Sequence, residues 1–377
     1  MIIHNDVQLD FDDVLIAPQT TTINHRGEVD IIREYKQLIE KCKKDNITYI
    51  TGCPIISSNM TQTGTFEIAE KLLENKCFAS LHKFYSASNI ISWMNGHNCE
   101  DWHNLFITVG IRNKEEEINK LTAIKVAGGH FSILVDVPNA YIPKLLEYVK
   151  ELREKFPNNI IAVGNVCTGD ETQKLILAGA NLVKVGIGPS QVCDTRIKTG
   201  CGRPQLSAII ECANAAHQVG GLIIADGGFK NPGDICKALV AGADICMSGS
   251  LFAGCDEASG EIITKCYRTG EYSVAFDSDF VPGRVVPIAD KPIYEYKKYK
   301  EYYGMSSFRA QKENYGKITT TGTSEGVECK LVPYTGPIQN TIDDIKGSLR
   351  SCGSYIGAKN VKTFSRQGMF YKVNRIK

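Results

Sequence analysis

No apolar run in this chain reaches the ~18 residues that a membrane-spanning helix requires, so no transmembrane segment is expected. An excess of charge is also missing. The formal net charge is +1, which removes any global electrostatic case for nucleic acid or an anionic membrane as partner. The opening stretch, MIIHNDVQLDFDDV, carries acids and lacks a basic segment followed by an apolar one, which argues against a secretory signal. Cysteines are plentiful at 14, yet no CxxC pair occurs. Most lie in apolar patterns (Cys53, Cys77, Cys212, Cys246) and read as free thiols of a reducing cytoplasm. His97, Cys99 and His103 match no zinc spacing.

What the chain does have is length, 377 residues, and a hydrophobic content of 43%, enough for a sizeable core. Eight apolar, β-rich runs recur: Pro54–Ser58, Cys77–Leu81, Leu105–Val109, Phe131–Val137, Ile160–Val163, Leu182–Val185, Leu222–Ala225 and Ile245–Met247. Most lack alternation and predict strands buried on both faces, as in a parallel sheet. Helix-period segments lie between them, among them Tyr141–Lys155, Gln205–Gln218 and Pro232–Ala241, the last with Asn231 as cap and Pro232 at its first position. Eight βα units predict an α/β protein, a (β/α)8 TIM barrel. A doubly wound open sheet is the other arrangement of such units, but the Gly-rich dinucleotide fingerprint is missing after the first strand.

Polar, glycine-rich and reactive residues follow the runs (SSNM, HK, GIR, DVPNAY, GNVCTG, GIGPSQVC, DGG, SGS), at the strand ends where a barrel carries its active site. The stretch Gly186–Gly202, GIGPSQVCDTRIKTGCG, puts Cys193 and Thr195 in a loop after a buried strand. Cys193 reads as a nucleophile, against the alternative of an incidental thiol in a connector. No histidine lies near it in sequence, so Thr195 and a carboxylate, Glu325, are the candidate proton carriers. Gly227, Gly228, Gly249 and Ser250 end the seventh and eighth runs, where barrels cradle phosphate, and Asp226 is placed to accept from a ribose diol or to be a satisfied strand-end carboxylate.

After the eighth run, Glu257–Lys300 turns polar and partly aromatic and ends in YEYKKYKEYYG. Its Tyr and Lys could bind nucleic acid; the reading adopted is a solvated helix or an insertion packed on the barrel. Gly304–Gly326 is small and polar and predicts a long mobile loop over the site. Thr341–Ala358 predicts an amphipathic helix, and Lys359–Lys377 a basic tail. The whole chain, 1–377, is expected to form one catalytic barrel domain with an insertion (257–300), a flap (304–326) and a C-terminal arm (341–377).

From LDFDDVLIAPQ through PIISSNM, SLHKFYS, VDVPNAY, VKVGIGPSQVCDTR, DGGFKNPGDICKAL, GADICMSGSLFAG, YGMSS and TSEG to GSLRSCGSYIGA, the chain resembles the GMP reductase family, in the superfamily shared with IMP dehydrogenase. Only the insertion around Glu257–Lys300 departs from it. The resemblance implies a barrel subunit of a homotetramer that binds GMP and NADPH and releases IMP and ammonia. It implies Cys193, Thr195 and Glu325 as catalytic residues. It implies Ser190, Asp226, Gly227, Gly228, Gly249, Ser250, Gly304, Met305, Ser306, Ser324 and Gly326 at GMP. Arg26, Lys83, Asp136, Val137, Asn139, Ile187, Gly188, Met305, Ser351 and Tyr355 are implied for the cofactor, some reaching a neighbouring subunit. Backbone at Gly186, Gly188 and Cys193 resembles a potassium loop. Two departures bear on this. Ser190 and Gln191 stand where the family has glycine and serine, and Gly322 and Val327 replace the arginine and lysine that usually flank SEG. IMP dehydrogenase is the rival reading. Its flap carries an adjacent Arg-Tyr pair that is absent from Gly304–Glu325, and the barrel has no gap for a CBS module. A non-enzymatic nucleotide-binding protein is the third class, opposed by the presence of Cys193, Thr195 and Glu325 together.

Overall fold

The computed structural model describes residues 5–35, 50–97, 102–275, 288–318 and 322–374. Eight parallel strands form the barrel: β1 Thr51–Ser57, β2 Cys77–Leu81, β3 Leu105–Val109, β4 Ser132–Asp136, β5 Ile161–Val166, β6 Leu182–Val185, β7 Leu222–Asp226 and β8 Ile245–Ser248. Each pairs with the next, and β8 closes on β1 with Cys246 opposite Ile55, so no barrel edge is left open. Helices α1 Phe66–Glu74, α2 Ala87–Gly96, α3 Lys114–Val126, α4 Pro143–Lys155, α5 Gly169–Leu177, α6 Gln205–Gln218, α7 Pro232–Val240 and α8 Ile338–Ile356 cover the outside. The Asn231 side chain accepts from the Asp234 amide, the cap expected from the sequence.

The strands read as uninterrupted apolar runs because both faces are buried. Outward residues such as Ile55, Ile107, Val135 and Ile223 join the helices in one cluster. Inward residues Ile56, Phe78, Phe106, Leu134, Ala162, Leu182, Ile224 and Met247 fill the lumen. Tyr35 plugs the lumen from the N-terminal side, edge-on to Phe78, with its hydroxyl donating to the Asp244 carbonyl (3.1 Å).

Asp244 is the main polar tie of that end. Its buried carboxylate accepts from Arg33 (2.7 Å), His217 (2.9 Å) and the Ile223 amide (2.9 Å). Burial pushes this carboxyl up, but Arg33 and His217 outweigh it and hold it below the usual range. The contribution is therefore present above the ordinary carboxylate pKa and is lost as pH falls through the depressed value. Asp244→Ala should cost about 3–5 kcal/mol in chemical denaturation, because it leaves Arg33 buried without its counter-ion. The variant should also lack the acid-dependent loss that Asp244 gives the parent.

Three sequence expectations change. Of the two readings of Glu257–Lys300, the solvated helix is replaced by strands: Ile262–Ala275 and Ile288–Tyr302 form an antiparallel ribbon, and Lys330–Pro333 joins it as a third strand. The flap is not a loop throughout. It contains a helix, Phe308–Tyr315, capped by Ser307 and ended by left-handed Gly316. The predicted Thr341–Ala358 helix begins earlier, at Ile338. Cys99 lies outside the described residues; among those described, no group of three or more His, Cys, Asp or Glu converges on a metal position.

Candidate active site

Strand side chains alternate, so two residues beyond each lumen residue the chain again faces inward. From Phe78, Phe106, Leu134, Ala162, Leu182 and Ile224 that step reaches Ser80, Thr108, Asp136, Gly164, Lys184 and Asp226. The lumen thus turns from hydrocarbon to polar in one layer, at the C-terminal mouth. Lys184 reaches both carboxylates of this layer, 2.8 Å from Asp136 Oδ1 and 2.9 Å from Asp226 Oδ2. Burial works against the Lys184 charge, but Asp136 and Asp226 outweigh it and raise its pKa. Burial likewise pushes the Asp136 carboxyl up, and Lys184 with Lys83 overrides it, holding it below the usual range. Asn165 donates to the same Asp226 oxygen (2.9 Å) and to the Gly186 carbonyl (2.8 Å).

Beyond β6 the chain enters the Gly186–Gly202 loop. A turn closed by the Cys193 amide on the Ser190 carbonyl (3.1 Å) presents the thiol, and Thr195 opens a short helix, Thr195–Thr199. Cys193 Sγ is 3.1 Å from Thr195 Oγ1, which donates to Glu325 Oε2 at 2.8 Å. Because the threonine proton points at the carboxylate, the thiol is the donor in the first contact. Such a chain of contacts can carry a proton from sulfur through hydroxyl to carboxylate.

Glu325 comes from the flap, 130 residues downstream, and backbone bonds fix it there. The Asp194 amide donates to the Glu325 carbonyl (2.7 Å), Val327 to Val192 (3.1 Å) and Gly304 to Val327 (2.9 Å). Gly304 has no room for a side chain: a Cβ there would lie 2.4 Å from the Val192 carbonyl and 2.7 Å from Gly326 Cα. Gly304→Ala should therefore lift Glu325 off Thr195. We expect about a 10²-fold loss of kcat, the usual cost of ~1 Å misplacement. A melting temperature within a few degrees of the parent would show that the barrel itself is intact.

A second corner gathers the expected phosphate residues. A Cβ on Gly227 would lie 3.6 Å from that of Ser190, and one on Gly249 would meet the Tyr302 hydroxyl at 2.3 Å, so glycine is needed beneath that ring. Tyr302 is buried, its hydroxyl donating to Met60 Sδ (3.2 Å), with Ser190 close enough to act on it. The Ser190 departure thus leaves a hydroxyl in this corner, whereas Gln191 turns outward to Lys330 (2.8 Å). The Gly227 amide is spent on the Met247 carbonyl (3.1 Å), and Ser250 Oγ on the Phe229 carbonyl (2.9 Å). Met305 Sδ accepts from Thr61 (3.4 Å), and the Ser306 carbonyl from Ser324 (3.1 Å), which also bonds Gly326.

The residues implied for a cofactor divide. Asp136 lies in the polar layer with Lys83 close enough to act on its charge, and Val137 follows with its amide on the Gly164 carbonyl (2.9 Å). The Asn139 side chain closes a turn onto the Tyr141 amide (3.0 Å), and the Ile187 carbonyl accepts from Arg196 (3.4 Å). Arg26, Ser351 and Tyr355 instead line a separate cavity of about 590 Å³ with Pro18, Lys237 and Cys352. Lys184, Asn165 and Tyr302 were missed by the sequence reading. Counting in twos from Leu182 would have found Lys184. Asn165 and Tyr302 carry no comparable signal.

The domain described as "IMP dehydrogenase / GMP reductase domain" matches residues 8–274 and 287–376. Within Glu257–Lys300 the unmatched part is thus narrower, residues 275–286. Over 380 residues the chain is 39% identical to GMP reductase 2 of Homo sapiens, covering 99% of this chain and 96% of that one. It is 37% identical over 378 residues to GMP reductase of Caenorhabditis elegans (99% and 94%). With GMP reductase of Photobacterium profundum it shares 36% over 377 residues (99% and 97%). The polar barrel mouth, the Cys193 loop and the docked flap thus stand on a chain that belongs, over nearly its whole length, to the IMP dehydrogenase/GMP reductase family.

Proposed function

We propose that the protein is a GMP reductase, converting GMP, NADPH and two protons to IMP, ammonium and NADP+. The observation that carries this reading is the Cys193–Thr195–Glu325 chain, held at 3.1 and 2.8 Å by a flap with no arginine at its catalytic end. The flap arginine, Arg309, is bound by Glu301 (2.7 Å) and Glu313 (2.9 Å) and lies over the Tyr303 ring (4.4 Å). It is therefore committed elsewhere, which disfavours the water activation that the dehydrogenase reaction needs.

In this mechanism Cys193 passes its proton through Thr195 to Glu325, and the thiolate adds to C2 of the guanine ring. Glu325 returns the proton through Thr195 to the 2-amino group, the C2–N bond breaks, and ammonia departs, leaving a thioimidate on Cys193. NADPH, when bound, supplies the hydride that C2 then requires. Expulsion of the Cys193 thiolate gives IMP. Asp226 takes the ribose: among the described residues both bonds to its carboxylate fall on Oδ2, which leaves Oδ1 for hydroxyls. Ser190, Tyr302, Gly228 and Gly249 face the phosphate, and Met305 and Ser306 hold the base. Asp136, Lys83 and Asn139 fit a polar cofactor head, since a carboxylate held ionised beside a lysine suits hydroxyl and carboxamide groups. Arg26 and Lys237, with Ser351 and Tyr355, would meet an anionic cofactor tail from a neighbouring subunit of a homotetramer, with Asp343 and Asp344 on the same lining offsetting part of that charge. The Gly186, Gly188 and Cys193 carbonyls are an oxygen-only donor set suited to potassium, which would order the loop. The Gly186 carbonyl already accepts from Asn165. The described cysteines are all free, which agrees with a cytoplasmic enzyme.

The test is a pair of assays. Reduced nicotinamide should disappear when GMP and NADPH are supplied, and none should form from IMP and NAD+. Turnover of the second pair alone would assign the chain to the dehydrogenase side of the family.

A further inference from the structure

We propose that Lys184 is a positioning residue that couples the two halves of the active site, holding the nucleotide-side carboxylate Asp226 and the cofactor-side carboxylate Asp136 on one buried ammonium. The inference rests on the proposed nucleotide and cofactor sides of the mouth. The geometry itself does not depend on them. Lys184 is 3% exposed and spans from β6 to β4 in one direction and β7 in the other, with contacts of 2.8 and 2.9 Å. The crossing is possible because Gly164, its neighbour on β5, has no side chain: a Cβ there would lie 2.5 Å from Lys184 Cβ. Asn165 fastens the same Asp226 oxygen to the Gly186 carbonyl, at the entry to the loop that carries Cys193.

A buried ammonium that satisfies two carboxylates at once makes their positions interdependent. A ribose hydroxyl on Asp226 fixes that carboxylate and, through it, the Lys184 ammonium that both carboxylates share. A cofactor group on Asp136 fixes the same ammonium from the other side, so whichever ligand binds second has less to order. Each ligand thereby finds a carboxylate already oriented by the other, and linkage requires the effect to be reciprocal. Lys184 touches neither reacting centre in this scheme and acts only through the two aspartates.

The test measures NADPH binding by fluorescence, with and without IMP, a pair that cannot turn over forward. In the parent enzyme IMP should tighten NADPH at least about fivefold, the lower end of ordinary coupling. In Lys184→Met that ratio should fall to one, with KM for GMP and for NADPH each raised about tenfold. Lys184→Arg, which keeps the charge and can fork to both carboxylates, should recover part of the coupling. A ratio in Lys184→Met equal to the parent's, or no coupling in the parent, overturns the proposal. Should Lys184→Met fail to fold, Asp136→Asn decides. A change on the cofactor side should raise KM for GMP severalfold through Lys184, and an unchanged KM for GMP overturns the coupling. Failure of the parent to oxidise NADPH with GMP would count against the proposed function instead, so the two failures are distinguishable.

Discussion

Replacing Cys193 by alanine should lower turnover by about 10³-fold or more, the scale of losing a covalent nucleophile, while GMP still binds within a few-fold of the parent. The split follows from where the contacts lie. Asp226 ends β7, Gly249 follows β8 and Tyr302 closes the ribbon, so none of the nucleotide anchors belongs to the Cys193 loop except Ser190. Steady-state kinetics with calorimetric titration of GMP checks both halves. Retention of more than about a tenth of the activity would be incompatible with a covalent step. A comparable loss of GMP binding would mean that the thiol orders the loop.

The second large effect is expected at Glu325. Glu325→Gln keeps the side chain's shape and its place beside Thr195 but removes the carboxylate that stores and returns a proton. Deamination needs that group twice, once to take the thiol proton and once to deliver it to the amine. Exchange of hydride between NADPH and an acetylpyridine cofactor analogue in the presence of IMP bypasses ammonia loss. It needs only a thiolate, which solvent can also generate. GMP reduction should fall by about 10²–10⁴-fold, the usual range for a general acid–base, and exchange by less than about tenfold. Equal losses in the two assays would reassign Glu325 to holding the flap.

Much of this arrangement is legible in the chain, for identifiable reasons. Strands buried on two faces leave solid apolar runs, so all eight were visible, and the reactive residues that follow them fall where a barrel opens. Cys193, Thr195 and Asp226 could be placed by that logic. Glu325 stands beside Thr195 as a candidate proton carrier in the sequence too, but their contact depends on backbone pairing between segments 130 residues apart, which no local pattern shows.

For Glu257–Lys300 the sequence left a solvated helix or an insertion packed on the barrel, and the ribbon's strands replace the helix. The pairing of Ile263 with Tyr299, Lys265 with Lys297 and Tyr267 with Glu295 is that of two regular strands. Tyrosine falls on both faces of Tyr294–Tyr302 among lysines and glutamates, and that hides the period. The flap helix was overlooked although Ser307 and Gly316 bracket it with a cap and a left-handed stop. Its low apolar content masked both. Lys184 sits inside the apolar run Leu182–Val185, yet a lysine at an inward position of a closed barrel must find a counter-charge.

The central claim is that this site removes the 2-amino group of GMP and replaces it with hydride. It is tested most directly by the stoichiometry of a GMP and NADPH reaction followed to completion. IMP, ammonium and NADP+ should each appear in equal amount to the GMP consumed. NADPH oxidation without ammonium release, or consumption of IMP with NAD+ in place of GMP, would contradict it.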